Sequence, residues 1–179
     1  MIYLVRHAEP AAGWGHHDNP GLSDHGKGQA EAVAIKLKNM GATKAVTSPM
    51  ARCVETAKPF ERLIETHARI EARVGEIQTP PDVGDRVTWL RSAMSGKWEE
   101  MGEGYTSWRS NALDAVAQMP QGTAVFSHYV AINAIVSLID RDDRVHVFSP
   151  GHCSITAIDI KGREFHVSER GEETALSPL

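Results

Sequence analysis

The chain has 179 residues, 41% of them hydrophobic and 23% charged, with a formal net charge of −4 at pH 7. These values suit one generous soluble domain with one core. They give no global attraction to DNA, RNA or anionic lipid, so any anionic ligand must be held by local basic groups. Cys53 and Cys153 lie in apolar patterns rather than in paired metal spacing, which argues against a disulfide scaffold or zinc ribbon and for buried thiols. Apolar runs are too short to span a bilayer, and Arg6 ends the first run too early for a signal peptide. A cytoplasmic protein without membrane or nucleic-acid partners is expected.

Ile2 to Val5 is a short apolar run of the kind that lies inside a parallel sheet, buried on both faces, and a loop rich in Gly, Pro and Asn follows from Pro10 to Gly21. Ser23 then predicts a helix N-cap. Ala30, Val33, Ala34, Leu37 and Met40 recur at helical spacing, and Gly41 supplies the stop. Lys44 to Thr47 reads as a second strand, and Pro49 opens a helix that carries Cys53, Ala57, Phe60 and Ile64 on one face. The alternation of Ile70, Ala72 and Val74 predicts a third strand. After Pro80 and Pro81, the residues Val83, Val87, Leu90 and Met94 predict a helix; Ser95 to Thr106 reads as a loop, and Trp108, Ala112, Leu113 and Val116 predict another helix. Gly122 to Phe126 is a fourth strand, Val130 to Ile139 an apolar helix, and Ser154 to Ile160 with Arg163 to Val167 a hairpin about Lys161 and Gly162. The pattern predicts an α/β fold, mainly parallel, with right-handed crossovers.

In such sheets ligands bind beyond the carboxyl ends of the strands. The first strand is followed by Arg6 and His7, the second by Ser48 and, one helical turn on, Arg52. The third is followed by Glu76 and the fourth by Ser127 and His128. One histidine or arginine at a strand end is ordinarily a solvated group. As a set these residues suit phosphate: arginine presents a fixed fork of donors, a helix N-terminus adds N–H groups, and a neutral imidazole is a nucleophile that needs no base to deprotonate it first.

The stretches "LVRHAE" (4–9), "LSDHGKGQA" (22–30), "TSPMARCVETA" (47–57), "VFSHYVAINAIV" (125–136) and "GHCSIT" (151–156) resemble, in order, the histidine phosphatase superfamily, which includes cofactor-dependent phosphoglycerate mutases and many small phosphatases. The resemblance implies a three-layer sandwich with helices on both sides of the sheet, in a single domain over residues 1–179 with a helical insert at roughly 80–120 forming part of the substrate pocket. It implies that His7 is a nucleophile that becomes transiently phosphorylated, that Arg6, Arg52 and His128 hold the phosphoryl oxygens, and that Glu76 is the proton donor. Ser48 and Tyr129 join them as candidate phosphate or substrate contacts. No cofactor and no metal is expected; the partner is a small phosphorylated substrate, and the oligomeric state is left open. Phosphoryl transfer asks mainly for in-line positioning and stabilisation of spread negative charge, which two guanidiniums and an imidazolium supply.

The chain departs from the family pattern at Ala8, where glycine is usual, at Pro10, where threonine is frequent, and in "GEIQTPPDVGD" after the acidic residue. Tyr129 and Val130 stand behind the second histidine, where small residues are common. His16, His17, Asp18, Asp24 and His25 lack the helical spacing of zinc motifs and read as a solvated lid. Trp89 and Trp108 are expected in the core, Trp98 and Tyr105 on the substrate, and the charged tail is expected to be mobile at its end. A small phosphomonoesterase is the leading expectation, ahead of a mutase, a protein phosphohistidine phosphatase, and a module that binds phosphorylated ligands without turnover.

Overall fold

The computed structural model describes residues 1–12, 19–162 and 164–174. Its elements run β1 (Ile2–Arg6), α1 (Asp24–Asn39), β2 (Lys44–Thr47), α2 (Ala51–Ile64), β3 (Arg69–Ile70), α3 (Arg86–Met94), α4 (Glu103–Ala117), β4 (Thr123–Ser127), α5 (Tyr129–Ile139), β5 (Ile155–Lys161) and β6 (Glu164–Glu169). The strands form one sheet in the order β3-β2-β4-β1-β5-β6. The pairs β2 with β3, β2 with β4 and β1 with β4 are parallel, while β5 runs antiparallel to β1 and β6 antiparallel to β5. The α/β reading with a mainly parallel sheet flanked by helices therefore holds.

β1 and β4 are buried along their whole length because helices cover both faces of the sheet. Ile2 and Leu4 point to one side and pack with Val116, Ile132, Ile135 and Val136 of α4 and α5. Tyr3 and Val5 point to the other and pack with Leu37, Ala57 and Phe60 of α1 and α2. Each such side chain, fully buried, contributes about 1.5–3 kcal/mol. The central strands are thus pinned from both faces, and the residues just beyond their carboxyl ends are rigidly placed. α1 is capped as expected, with Ser23 Oγ accepting from the Gly26 amide at 2.9 Å. Gly26 is required by proximity: a Cβ there would lie 2.1 Å from the Glu9 carbonyl oxygen, so only glycine lets α1 approach the loop that leaves β1.

Three expectations change. β3 has two residues, both exposed, and Ala72–Val74 is a 3-10 turn rather than strand. Glu71 makes the difference, because its carboxylate accepts from the Arg73 amide at 3.2 Å, from Arg73 Nε and Nη2 at 2.9 Å each, and from Arg69 Nη1 at 3.1 Å. Ser95 to Thr106 is not all loop: a 3-10 turn spans Trp98–Met101, and Gly102, at φ +93°, breaks it from α4. α2 begins two residues after Pro49 and α3 three after Val83.

The assignment of Trp98 also changes. Trp98 is fully buried, its Nε1–H donating to Ser137 Oγ at 3.2 Å and its ring lying 5.3 Å from the Arg109 guanidinium carbon. Arg109 donates to the same hydroxyl through Nε and Nη2, which pins the segment between β3 and β4 against α5. Trp89 and Trp108 are half-buried against this cluster. In the tail, Gly151 and Thr174 donate their amides to Glu172 and Ser149, so this part of the chain is tied to the loop before β5. The end of the tail, and His16, His17, Asp18 and Arg163, lie outside the described residues.

Candidate active site

The carboxyl end of β1 is held from three sides. The His7 amide donates to the Ser127 carbonyl at 2.9 Å, the Ala8 amide to Thr56 Oγ1 at 3.0 Å, and the Cys153 amide to the Arg6 carbonyl at 3.0 Å. His7 Nδ1 lies 2.8 Å from the Ala8 carbonyl oxygen, an acceptor only, so Nδ1 carries the proton and Nε2 the lone pair. Burial, with His128, Arg52 and Arg6 nearby, keeps the imidazole pKa well below 6.5, and the ring is neutral at pH 7.

The His128 ring stands edge-on to that of His7, with centroids 5.3 Å apart. Its Nδ1 lies 3.1 Å from Arg52 Nη2 and its Nε2 lies 2.7 Å from Ser48 Oγ. A guanidinium only donates, so Nδ1 accepts and the proton sits on Nε2, donating to Ser48. The imidazolium expected from the sequence is therefore a neutral ring in this state, its pKa lowered by burial and by Arg52 and Arg6. Ser48, a candidate phosphate or substrate contact from sequence, is fully buried, with its Oγ against His128 Nε2. Cys53 Sγ lies 3.3 Å from His128 Nε2, its thiol pKa raised by burial, so it packs rather than reacts.

Glu76 joins the cluster by an indirect route. Its carboxylate accepts from the Ile77, Val130 and Ala131 amides at 3.0, 3.3 and 3.2 Å, and so caps the N-terminus of α5 directly behind His128. Burial raises its pKa, opposed by those amides and by Arg52 and Arg6, so its protonated form persists above the ordinary carboxylate range. Arg6 is 4% exposed and Arg52 6% exposed, and the Nε atoms of both are buried without a hydrogen-bond partner among the described residues. Buried cationic donors without a partner are costly, and an anionic oxygen at hydrogen-bond distance would offset that cost. Tyr129 meets the cluster through Arg6, whose guanidinium carbon is 5.0 Å from the ring centroid, while its hydroxyl is taken by His146 and Ser149.

Sequence reasoning misses His152. Its ring lies 5.6 Å from that of His7, and burial beside Arg6 lowers its pKa to about 4. The topology holds the signal: β5 runs antiparallel to β1, so its amino end, not its carboxyl end, stands at the mouth. Among the described residues no group of His, Cys, Asp and Glu is arranged to hold a metal. No described helix is long and apolar enough to cross a membrane.

A family model, the histidine phosphatase superfamily (branch 1), matches residues 2–173. The chain belongs to that superfamily. Among curated relatives, a probable phosphoglycerate mutase GpmB of Escherichia fergusonii is 27% identical over 207 residues, covering 98% of this chain and 92% of the relative. The fold also matches solved structures. A mycobacterial glucosyl-3-phosphoglycerate phosphatase in complex with VO3 has TM-score 0.74 at 16% identity, covering 94% of this chain and 97% of that one. A phosphoserine phosphatase mutant from Entamoeba histolytica in complex with phosphoserine has TM-score 0.73 at 20% identity, covering 94% and 95%. This histidine phosphatase superfamily enzyme thus carries the phosphoglycerate mutase-like architecture from its first strand to its last.

Proposed function

We propose that the protein is a metal-independent phosphomonoester hydrolase that works through a phosphohistidine on His7 and acts on a small phosphorylated metabolite. The observation that carries this reading is the neutral, Nδ1-protonated imidazole of His7 among arginines whose Nε–H groups lack partners among the described residues. In the first step Nε2 attacks phosphorus and the P–O bond to the leaving alcohol breaks. The alcohol departs with the proton of Glu76. In the second step the Glu76 carboxylate takes a proton from water, whose oxygen attacks phosphorus and breaks the P–N bond. Inorganic phosphate leaves, and His7 and protonated Glu76 are restored. Arg6 and Arg52 stabilise the charge that spreads over the equatorial oxygens, with the Arg52 guanidinium held beside His128 Nδ1.

The test is hydrolysis of a generic aryl phosphate in excess chelator, with an acid-labile, alkali-stable phosphoryl adduct trapped on His7. Dependence on added metal, or turnover surviving in His7→Ala, sinks the mechanism. The names of the relatives favour one second reading, phosphoryl transfer between phosphoglycerate isomers. A screen of phosphometabolites separates the two, because the hydrolase releases inorganic phosphate and the mutase yields an isomer.

A further inference from the structure

Arg6 poses a positioning problem. A long, rotamer-rich side chain must be held in one conformation if its guanidinium is to meet an anion, and burial has already lowered its pKa to about 10. One anchor is the Pro150 carbonyl, which accepts from Nη1 at 2.9 Å. The other is an aromatic face: the guanidinium lies over the ring of Tyr129, itself 4% exposed. We propose that Tyr129 is a positioning residue for Arg6, setting the affinity of the site for a phosphoryl group that it does not touch. This rests on the reading of the cluster as a phosphate site.

The ring is fixed as well as placed. The Tyr129 hydroxyl lies 2.9 Å from His146 Nε2 and 3.1 Å from Ser149 Oγ, and those two atoms are 3.1 Å apart. The His146 imidazole lies nearly parallel to the phenol, at an interplanar angle of 10° with centroids 5.9 Å apart. Burial holds the phenol pKa above its ordinary value, so Arg6 meets a neutral ring and its quadrupole rather than a phenolate. One short segment, His146 to Pro150, thus grips both partners, the ring through His146 and Ser149 and the cation through the Pro150 carbonyl. Because Tyr129 directly follows His128, the turn into α5 sets two things at once: His128 beside Arg52, and an aromatic floor beneath Arg6.

The competing role is plain packing, since Tyr129 also lies among Ile77, Leu90, Trp98 and Val145. Binding of inorganic phosphate by calorimetry, alongside aryl phosphate hydrolysis, separates the two. Tyr129→Leu is expected to raise the phosphate Kd about tenfold, acting on KM more than on kcat, and Tyr129→Phe to keep the Kd within about threefold. In an Arg6→Gln background, Tyr129→Leu should add less than about twofold. Replacing Tyr129 with phenylalanines of increasing fluorination keeps the shape of the Phe variant and weakens the π face, so the Kd should climb stepwise. That series decides the matter even if the Leu variant does not fold. An equal effect of Tyr129→Leu in both backgrounds, or a flat fluorination series, overturns the proposal. Wild-type protein that binds phosphate without hydrolysis overturns the hydrolase reading alone, whereas normal hydrolysis with a flat series overturns this one alone.

Discussion

Two regions meet at the mouth of the sheet, and they are built on opposite principles. At the strand ends Arg6, His7, Arg52, Glu76 and His128 are all at most 6% exposed, so groups that prefer water are buried together, and the Nε–H groups of both arginines have no partner among the described residues. Around Trp98 the buried polar atoms are matched: Ser137 Oγ of α5 accepts from Trp98 and Arg109 and donates to the Ala134 carbonyl. The first arrangement spends stability on ligand binding, and the second yields stability without chemistry. Substitutions at the strand ends should therefore change rate with little loss of stability, and substitutions in the insert should do the reverse.

The largest effect is expected from His7→Ala, which should lower kcat by at least about 10⁴-fold while leaving the thermal midpoint equal or higher, because the cost of desolvating the imidazole disappears with the ring. Calorimetry and stopped assays on one preparation check both halves. A large fall in the midpoint would break the contrast at its strongest point. Trp98→Ala is the mirror experiment. It should cost about 3–5 kcal/mol in urea unfolding, yet keep kcat in the folded fraction, because the indole is held by Ser137 and Arg109 rather than by any of the strand-end groups.

The pH profile sharpens the contrast within the strand-end region. His7 and His128 have lowered pKa values, so both stay neutral as pH falls through 6.5, and kcat/KM should show no inflection near that pH. Glu76 has a raised pKa, and the proposed mechanism uses its protonated form. Activity should accordingly fall as pH rises through that value, on a limb lying above the ordinary 4.5. Glu76→Gln should lower kcat for a poor alkoxide leaving group by about 10²-fold and erase the alkaline limb. An unchanged limb in that variant would assign the proton donor elsewhere.

How far the sequence can be read follows the same division. β1 and β4 are legible because a continuous apolar run ending in Arg-His or Ser-His has one sensible place in a sheet covered on both faces. α1 is legible through Ser23, its cap. The 3-10 turn at Ala72–Val74 is not, because two residues beyond Ile70 the chain is governed by ion pairs from Arg69 and Arg73 to Glu71, which override a pattern of alternating apolar residues. Glu76 is found by its position after the third strand, although its presence at the site depends on the α5 amides it caps. Trp98 is misread because its partners, Ser137 and Arg109, come together only in three dimensions. Ser48 and Tyr129 are legible by their places after the second and fourth strands, but their contacts with His128 and Arg6 are not. Counting only carboxyl ends of strands leaves out His152, which arrives on an antiparallel one.

The smallest effect tests whether the two regions are as separate as their chemistry suggests. Tyr105 sits at their seam: its ring lies 5.8 Å from that of Trp89 in the insert, and its hydroxyl donates at 2.9 Å to the carbonyl of Gln78, two residues beyond Glu76. The bond is solvent-exposed, so water replaces it readily, and Tyr105→Phe keeps the ring contact. KM should rise less than about threefold, with kcat and the alkaline limb of the pH profile unchanged. A loss of kcat beyond about tenfold would mean that the tether from α4 to Gln78 holds the Glu76 carboxyl in register with the leaving group. The insert would then belong to the chemistry, and its stability and the rate of the reaction would no longer be separable quantities.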